Sequence, residues 1–256
     1  MKNLFISLIL FFSATSILSG QRTIHVFVAL CDNENQGIVK VGAKIGNGQD
    51  PFNNLYWGAL YGVKTHFKKT AGWSLKATIK EGLEDYILER CIFHHVENDV
   101  YLIADAYDGA FIKETTLDFI HASGGHQPKS VKVDEKYLPI NGGADLLVYV
   151  GHNGLMDFYY DPTTPLLPAN CEKRDAILLG CVTKSYFTDI MSYLSIEPLV
   201  WTTGLMAPEA YILSATVEGW MKGESKEAIA ERAAQAYNKY QKCGIRGARN
   251  LFASGF

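Results

Sequence analysis

Asp145-Leu-Leu-Val-Tyr-Val-Gly151-His152-Asn153-Gly154 and Arg174-Asp-Ala-Ile-Leu-Leu-Gly180-Cys181 are the two stretches that decide the fold. Each holds a short, continuously apolar run, Leu146 to Val150 and Ala176 to Leu179, that stops at a glycine. Unbroken Val, Ile and Leu without polar alternation suits a strand buried on both faces, as in a parallel sheet covered by helices. The separation between the runs leaves room for one crossover connection. They are therefore expected as neighbouring parallel strands with their ends about 5 to 10 Å apart. Ligand chemistry in open α/β sheets collects beyond the carboxyl ends of the strands, and these ends deliver His152 and Cys181.

The alternation of β-rich runs and amphipathic stretches continues on both sides. Ile24 to Cys31 predicts a first buried strand, and Asn54 to Lys68 a helix, with Leu55, Ala59, Gly62, Val63 and Phe67 near helical spacing. Tyr86 to Val96 and Val100 to Ala106 read as strands, and Lys113 to Ala122 as a helix that breaks at Ser123-Gly124-Gly125-His126-Gln127-Pro128. Downstream come a helix over Ser185 to Leu194, a strand over Pro198 to Thr202, and helices over Pro208 to Met221 and Lys226 to Gln241. The pattern predicts an α/β fold, a mostly parallel sheet flanked by helices, as one domain over residues 21–256.

A chain of 256 residues, 48% hydrophobic and 20% charged, is neither a disordered segment nor a disulfide scaffold. Lys+Arg 24 against Asp+Glu 27 gives a net charge of -3, with no basic run, which argues against a nucleic-acid or anionic-membrane partner. Residues 1–20 stand apart. Lys2, the apolar run Leu4 to Leu18, and Ser16, Ser19 and Gly20 ahead of Gln21 have the layout of a secretory signal peptide. The run is shorter than the roughly 20 residues that span a bilayer. A secreted or periplasmic protein, free of the membrane once mature, is expected.

Export exposes Cys31, Cys91, Cys171, Cys181 and Cys243 to an oxidising compartment, and five is odd, so at least one thiol stays free or pairs between chains. There is no CxxC pair and no His at zinc-ligand spacing from a Cys, so neither a metal nor another cofactor is expected. A thiol hydrolase needs a nucleophile with thiolate character, an imidazole that moves the proton, and backbone N–H groups aimed at the oxyanion. Cys181 and His152 supply the first two, and the amides of Gly154 and Cys181 are the candidate oxyanion donors. No third catalytic residue is evident.

Hydrophobic strand, His-Gly loop, second hydrophobic strand and Cys resembles the pattern of the caspase, gingipain, clostripain and legumain superfamily of cysteine peptidases, clan CD, over about Asp145 to Tyr211. The resemblance implies a caspase-like three-layer sandwich, a His152–Cys181 dyad, and endopeptidase specificity set at the residue before the cleaved bond. Asn153 stands where many members carry a glycine directly after the His. Leu199-Val-Trp201-Thr202-Thr-Gly204, followed by Met206-Ala-Pro-Glu-Ala-Tyr211, resembles the region that shapes the specificity pocket after the Cys strand. It makes Trp201, Thr202, Gly204 and Tyr211 candidate pocket residues. Asp157 and Asp161, after the His loop, are candidates for holding a basic substrate residue.

Each candidate also has a plainer meaning. His152 reads equally as a loop histidine bonding backbone, Cys181 as a buried thiol or half of a disulfide, and Trp201 and Tyr211 as core aromatics. Function is accordingly expected as a secreted cysteine endopeptidase acting on peptide or protein. The alternatives are an inactive extracellular module of the same fold that binds peptide or glycan, and a Cys-dependent amidase or transpeptidase acting on cell-wall peptides. Asp32-Asn-Glu-Asn-Gln36-Gly37 and Gly46-Asn-Gly-Gln-Asp50-Pro51 offer oxygen ligands, but not at EF-hand spacing, and are read as turns. Gly58-Ala-Leu-Tyr-Gly62-Val-Lys64-Thr65 lacks P-loop spacing, and GxSxG, HExxH and a strand-linked GxGxxG are missing.

Overall fold

The computed structural model describes residues 21–161 and 174–256. Ten strands occur among them: β1 (Arg22–Ala29), β2 (Trp73–Ile79), β3 (Ile87–His95), β4 (Val100–Tyr107), β5 (Lys129–Val133), β6 (Lys136–Ile140), β7 (Leu146–Gly151), β8 (Asp175–Leu179), β9 (Glu197–Thr202) and β10 (Phe252–Ala253). The helices are α1 (Val63–Phe67), α2 (Ile112–Ser123), α3 (Thr183–Tyr193), α4 (Ala210–Met221), α5 (Lys226–Gln241) and α6 (Ile245–Leu251). Eight strands form one sheet in the order β10-β9-β8-β7-β1-β4-β3-β2, and β5 and β6 make a separate hairpin. The five central strands, β9 to β4 in that order, pair in parallel, while β2, β3 and the short β10 extend the edges antiparallel. The α/β character and the mostly parallel sheet agree with the sequence pattern.

The pleat divides the core. Ile24, Val26, Val28, Leu146, Val148, Val150, Ile177 and Leu179 pack on one face with α4, α5 and α6. Phe27, Ala29, Leu147, Tyr149, Ala176 and Leu178 pack on the other with α2 and α3. Tyr101 and Ile103 on that second face lie under the β5–β6 hairpin. Each buried Val, Leu or Ile contributes on the order of 1.5–3 kcal/mol, so double-sided burial accounts for the unbroken apolar runs of β7 and β8. Asp105 brings a charge into this interior, and it is paired. Asp105 accepts from Arg90 Nε and Nη2, both at 2.6 Å, and from His25 Nε2 at 3.0 Å, while the His25 Nδ1 receives the Asn141 N–H at 3.1 Å.

One expected element is corrected. The helix predicted over Asn54 to Lys68 is helical only in α1, because Asn54 spends its side chain on the loop: its Oδ1 accepts from the Cys31 and Tyr56 amides, and its Nδ2 donates to the carbonyls of Cys31 and Asn47. Gly58 and Gly62 allow close turns there, since a Cβ on Gly58 would lie 2.0 Å from the Phe52 carbonyl oxygen. Strands β2, β5 and β6 and helix α6 are additions to the sequence pattern. No described helix is long and apolar enough to cross a membrane. Residues 1–20, the expected signal peptide, and Cys171 lie outside the described residues.

The chain runs from β1 to β4 on one side, then returns across β1 to β7 on the other, so the direction of strand order reverses at β1. Such a switch point opens a crevice beyond the carboxyl ends of the strands. The loops after β1, β7, β8 and β9 meet at that end.

Candidate active site

In the β7–β8 ladder Val150 pairs with Leu179, and in the β1–β7 ladder Ala29 pairs with Gly151. Two residues beyond the Val150–Leu179 pair, the strands deliver His152 and Cys181. Both intervening glycines are needed for this approach. Gly151 has φ +135 and a Cβ there would lie 2.4 Å from the Ala29 carbonyl oxygen, while one on Gly180 would lie 2.9 Å from the Gly151 oxygen.

His152 is nearly enclosed, and its Nε2 donates to Asp157 Oδ2 at 2.7 Å. A carboxylate can only accept, which leaves the Nδ1 lone pair as the free face of the neutral ring. Asp157 also receives the Gly37 N–H at 3.4 Å, tying the loop after β1 to the His loop. The His152 carbonyl accepts the Tyr149 hydroxyl at 2.5 Å. Asp157 thus meets His152 itself, a relationship that spacing along the chain did not reveal.

Asn153 is fully buried and joins the two loops. Its Nδ2 donates to the Cys181 carbonyl at 2.8 Å, and its Oδ1 accepts the Leu155 N–H at 3.1 Å, capping the short helical turn Gly154–Met156. Gly154 faces inward. A Cβ there would lie 2.3 Å from Thr116 Oγ1. The amides of Gly154 and Cys181 both stand at these strand ends.

Cys181 is partly exposed at the turn into α3. Its Sγ lies 3.4 Å from the Met206 N–H, which donates to it, and 3.6 Å from the Met206 carbonyl, which accepts the thiol proton. Among the described residues no hydrogen bond joins the thiol to the imidazole. Val182, next in sequence, holds φ +53 and ψ 33, a left-handed conformation costly for a β-branched residue. Its N–H donates to the Gly204 carbonyl at 2.9 Å. Thr202 accepts the Thr183 N–H at 3.2 Å and its hydroxyl donates to the Gly180 carbonyl. A knot of backbone and threonine bonds thus fixes the nucleophile's turn.

Two of the other thiols are shut away in the core. Burial pushes Cys31 up to about 11 and Cys91 up to about 12, which removes both as nucleophiles near neutral pH. Cys243 is exposed, and the four described cysteines are all free.

The expected pocket residues separate. Gly204 is partly exposed beside the Cys181 turn, while Thr202 is buried in the knot. Trp201 is fully buried on the α2–α3 face, with Phe256 at 5.5 Å and Lys184 over its ring, so it packs in the core and lines no opening. Tyr211 is buried as well, stacked on Tyr240 at 4.0 Å with its hydroxyl donating to Glu209 at 2.8 Å. Asp32, in the polar cluster after β1, is satisfied by protein: its carboxylate accepts from the amides of Glu34 and Asn35 and from the side chains of Asn35 and Gln49. That is a turn, as the sequence suggested. No group of three or more His, Cys, Asp or Glu side chains suited to a metal occurs among the described residues.

Sequence reasoning missed Asn153 as the residue that joins the two loops and Asp157 as the imidazole's partner. The adjacency of Asp157 to the His loop was the available signal. Comparison with known proteins adds no relative, since no family model, curated protein or solved structure matches the chain.

Proposed function

We propose that the protein is an exported cysteine endopeptidase of caspase-like architecture, in which Cys181 is the nucleophile and His152 moves the proton. The observation that carries this reading is the delivery of His152 and Cys181 by adjacent, paired parallel strand ends on the side of the sheet that follows the switch point at β1. The strained Val182 beside the thiol supports it, because backbone strain is retained where surrounding structure holds a functional turn.

The chemistry follows from these groups. The Cys181 sulfur, which accepts the Met206 N–H, adds as thiolate to a peptide carbonyl, and the oxyanion is received by the Cys181 amide at the head of α3. His152, oriented by Asp157, passes the thiol's proton to the departing amine as the C–N bond breaks, leaving a thioester. Water, deprotonated by the same imidazole, then releases the acid and restores the thiol. The thiol must rotate from Met206 toward substrate, which a partly exposed side chain can do.

The test is alkylation of the mature protein with iodoacetamide across pH 5–9, read by peptide mass for each cysteine, alongside hydrolysis of a fluorogenic peptide library. Selective labelling of Cys181 near neutral pH, lost in His152→Ala, together with peptide cleavage lost in Cys181→Ala, is the expected result. An inert Cys181 and no cleavage, before and after limited proteolysis, would overturn the reading and leave the strand-end loops as a peptide- or glycan-binding surface.

A further inference from the structure

A cavity of about 370 Å³ lies between α2 and the β5–β6 hairpin, on the face of the sheet that both cover. Apolar side chains fasten its two walls separately. Leu138 and Ile140 of the hairpin pack with Ile92 and Ile103, while Phe119 of α2 packs with Phe27 and Tyr149. The space left between them is lined mainly by polar groups: Arg90, Asp105 and Tyr107 from the sheet, Asp118 from α2, and the partly exposed pair of Glu84 and Lys129. Its size suits one small molecule. No residue of the His152 or Cys181 loops lines it, and β1 separates β3 and β4 from β7 and β8 in the sheet.

Two charged groups present unused bonding capacity to this space. Arg90 is 8% exposed, its Nε and Nη2 are taken up by Asp105, and its Nη1, which can donate twice, has no hydrogen-bond partner among the described residues. Asp118 Oδ2 accepts the Tyr86 and Tyr107 hydroxyls, each at 3.1 Å, and its Oδ1 has no hydrogen-bond partner among them either. Asp32 and Glu209 resemble Asp118 in forming no ion pair among the described residues, but neither lines the cavity. Burial pushes the Asp118 carboxyl above its usual range in spite of the two donors, so a cation beside it would relieve that cost. Asp105 and Tyr107, which hold Arg90 and Asp118, stand two residues apart on one face of β4, roughly 7 Å along the strand. An ammonium and a carboxylate on one carbon, each reached by a hydrogen bond of about 2.8 Å, bridge a gap of that order.

We infer that this cavity binds a free α-amino acid, with its ammonium on Asp118 Oδ1 and its carboxylate on Arg90 Nη1, at a site separate from the Cys181 thiol and independent of the peptidase reading. A simple amine would leave the Arg90 donors unpaired, and a simple acid would be set against Asp118.

The twenty L-amino acids, each at about 1 mM, serve as probes in thermal unfolding of the protein, and the strongest is then titrated calorimetrically beside its N-acetyl and carboxamide derivatives, each of which lacks one charge. At least one amino acid is expected to raise the midpoint by about 2 °C or more, because a ligand held by the folded state alone stabilises it. Each derivative should bind about tenfold more weakly or worse. Asp118→Asn keeps an oxygen for the two tyrosine hydroxyls, and in it the preference for the free amine over the N-acetyl form should fall toward one. Cys181→Ala should bind as the unaltered protein does. No shift and no heat with any amino acid, equal binding of the derivatives, or a preference that survives Asp118→Asn would overturn the inference. Loss of binding in Cys181→Ala would place the ligand at the thiol and overturn it as well. Alkylation of Cys181 is read separately, so failure of the cavity and failure of the peptidase reading are distinguished.

Discussion

Asn153 holds the Cys181 carbonyl at 2.8 Å from its side-chain amide, so the residue after the candidate base clamps the backbone of the candidate nucleophile. Asn153 directly follows the His and puts a fully buried amide between the two loops. The clamp does by a side chain what two loops on separate strands cannot do by covalent continuity. It sets the distance between them.

Asn153→Ala removes both this clamp and the cap on the Leu155 N–H. A partly buried carbonyl and a buried amide then lose their partners, and stability should fall by about 1–3 kcal/mol. Urea unfolding measures this. Labelling of Cys181 should become slower and less selective, because the turn that presents it is no longer tied to the His loop. An Asn153→Ala protein with unchanged midpoint and unchanged labelling would show the clamp to be incidental.

Asp157→Asn keeps the shape of the partner but removes its charge from His152 Nε2. The imidazole is then free to adopt the other tautomer, and single-turnover acylation of Cys181 should slow by about tenfold to a hundredfold. Asp157 is partly exposed, so its loss should change stability by less than about 1 kcal/mol. Asp157→Glu is expected to restore part of the rate, which a purely structural role would not predict. The pH profile of acylation should change shape in the Asn variant as well.

How much of this was legible beforehand depends on the range of the interaction. Strands β7 and β8 could be read from Leu146 to Val150 and Ala176 to Leu179 because burial on both faces leaves its mark on every residue. The placement of His152 and Cys181 followed from strand order alone. Asn54 to Gly62 was misread as helix because its apolar spacing was right, while the deciding bonds of Asn54 go to Cys31 and Asn47, outside any local window. Strands β5 and β6, short and mostly exposed on one side, carry little apolar periodicity. The resemblance of Leu199 to Gly204 to a pocket-forming strand makes Trp201 a pocket candidate, but the pleat turns it to the α2–α3 face. Side-chain pairings such as His152 with Asp157 depend on how a turn folds back, which composition does not encode.

The native thiols should separate cleanly by reactivity. Burial holds Cys31 at about 11 and Cys91 at about 12, so at pH 7.5 neither presents appreciable thiolate. Iodoacetamide should modify Cys181 and Cys243 in the folded protein and reach Cys31 and Cys91 only after unfolding in guanidinium. Peptide mapping distinguishes the sites. Rapid labelling of Cys31 in the native state would mean that the loop from Asp32 to Asn54 opens on the timescale of the experiment.

Val182→Gly tests the strain beside the nucleophile. A left-handed conformation costs a residue with a side chain roughly 1–2 kcal/mol, and glycine returns much of that while losing backbone entropy of about 0.5–1 kcal/mol. The expected change in stability is therefore within about 1 kcal/mol of zero, in contrast to the several kcal/mol that Val148→Gly should cost in the fully buried centre of β7. If Val182→Gly costs as much as Val148→Gly, the strain account fails.

Asp105 is expected to contribute to the acid limb of stability. Burial alone would raise its carboxyl, but the two Arg90 bonds and the His25 bond outweigh this and bring it down to about 2. A carboxyl lowered on folding contributes stability that is fully present above its unfolded value of about 3.9 and is lost as pH falls toward its folded value. Between about pH 4 and pH 2 the protein should therefore lose stability as Asp105 takes up a proton, independently of any chemistry at Cys181. Asp105→Asn should cost about 3–5 kcal/mol at pH 7, since it leaves the Arg90 guanidinium buried without its counter-charge. It should also flatten the dependence between pH 4 and pH 2. Urea midpoints at half-unit pH steps for both proteins decide it, and parallel curves would place the acid sensitivity elsewhere.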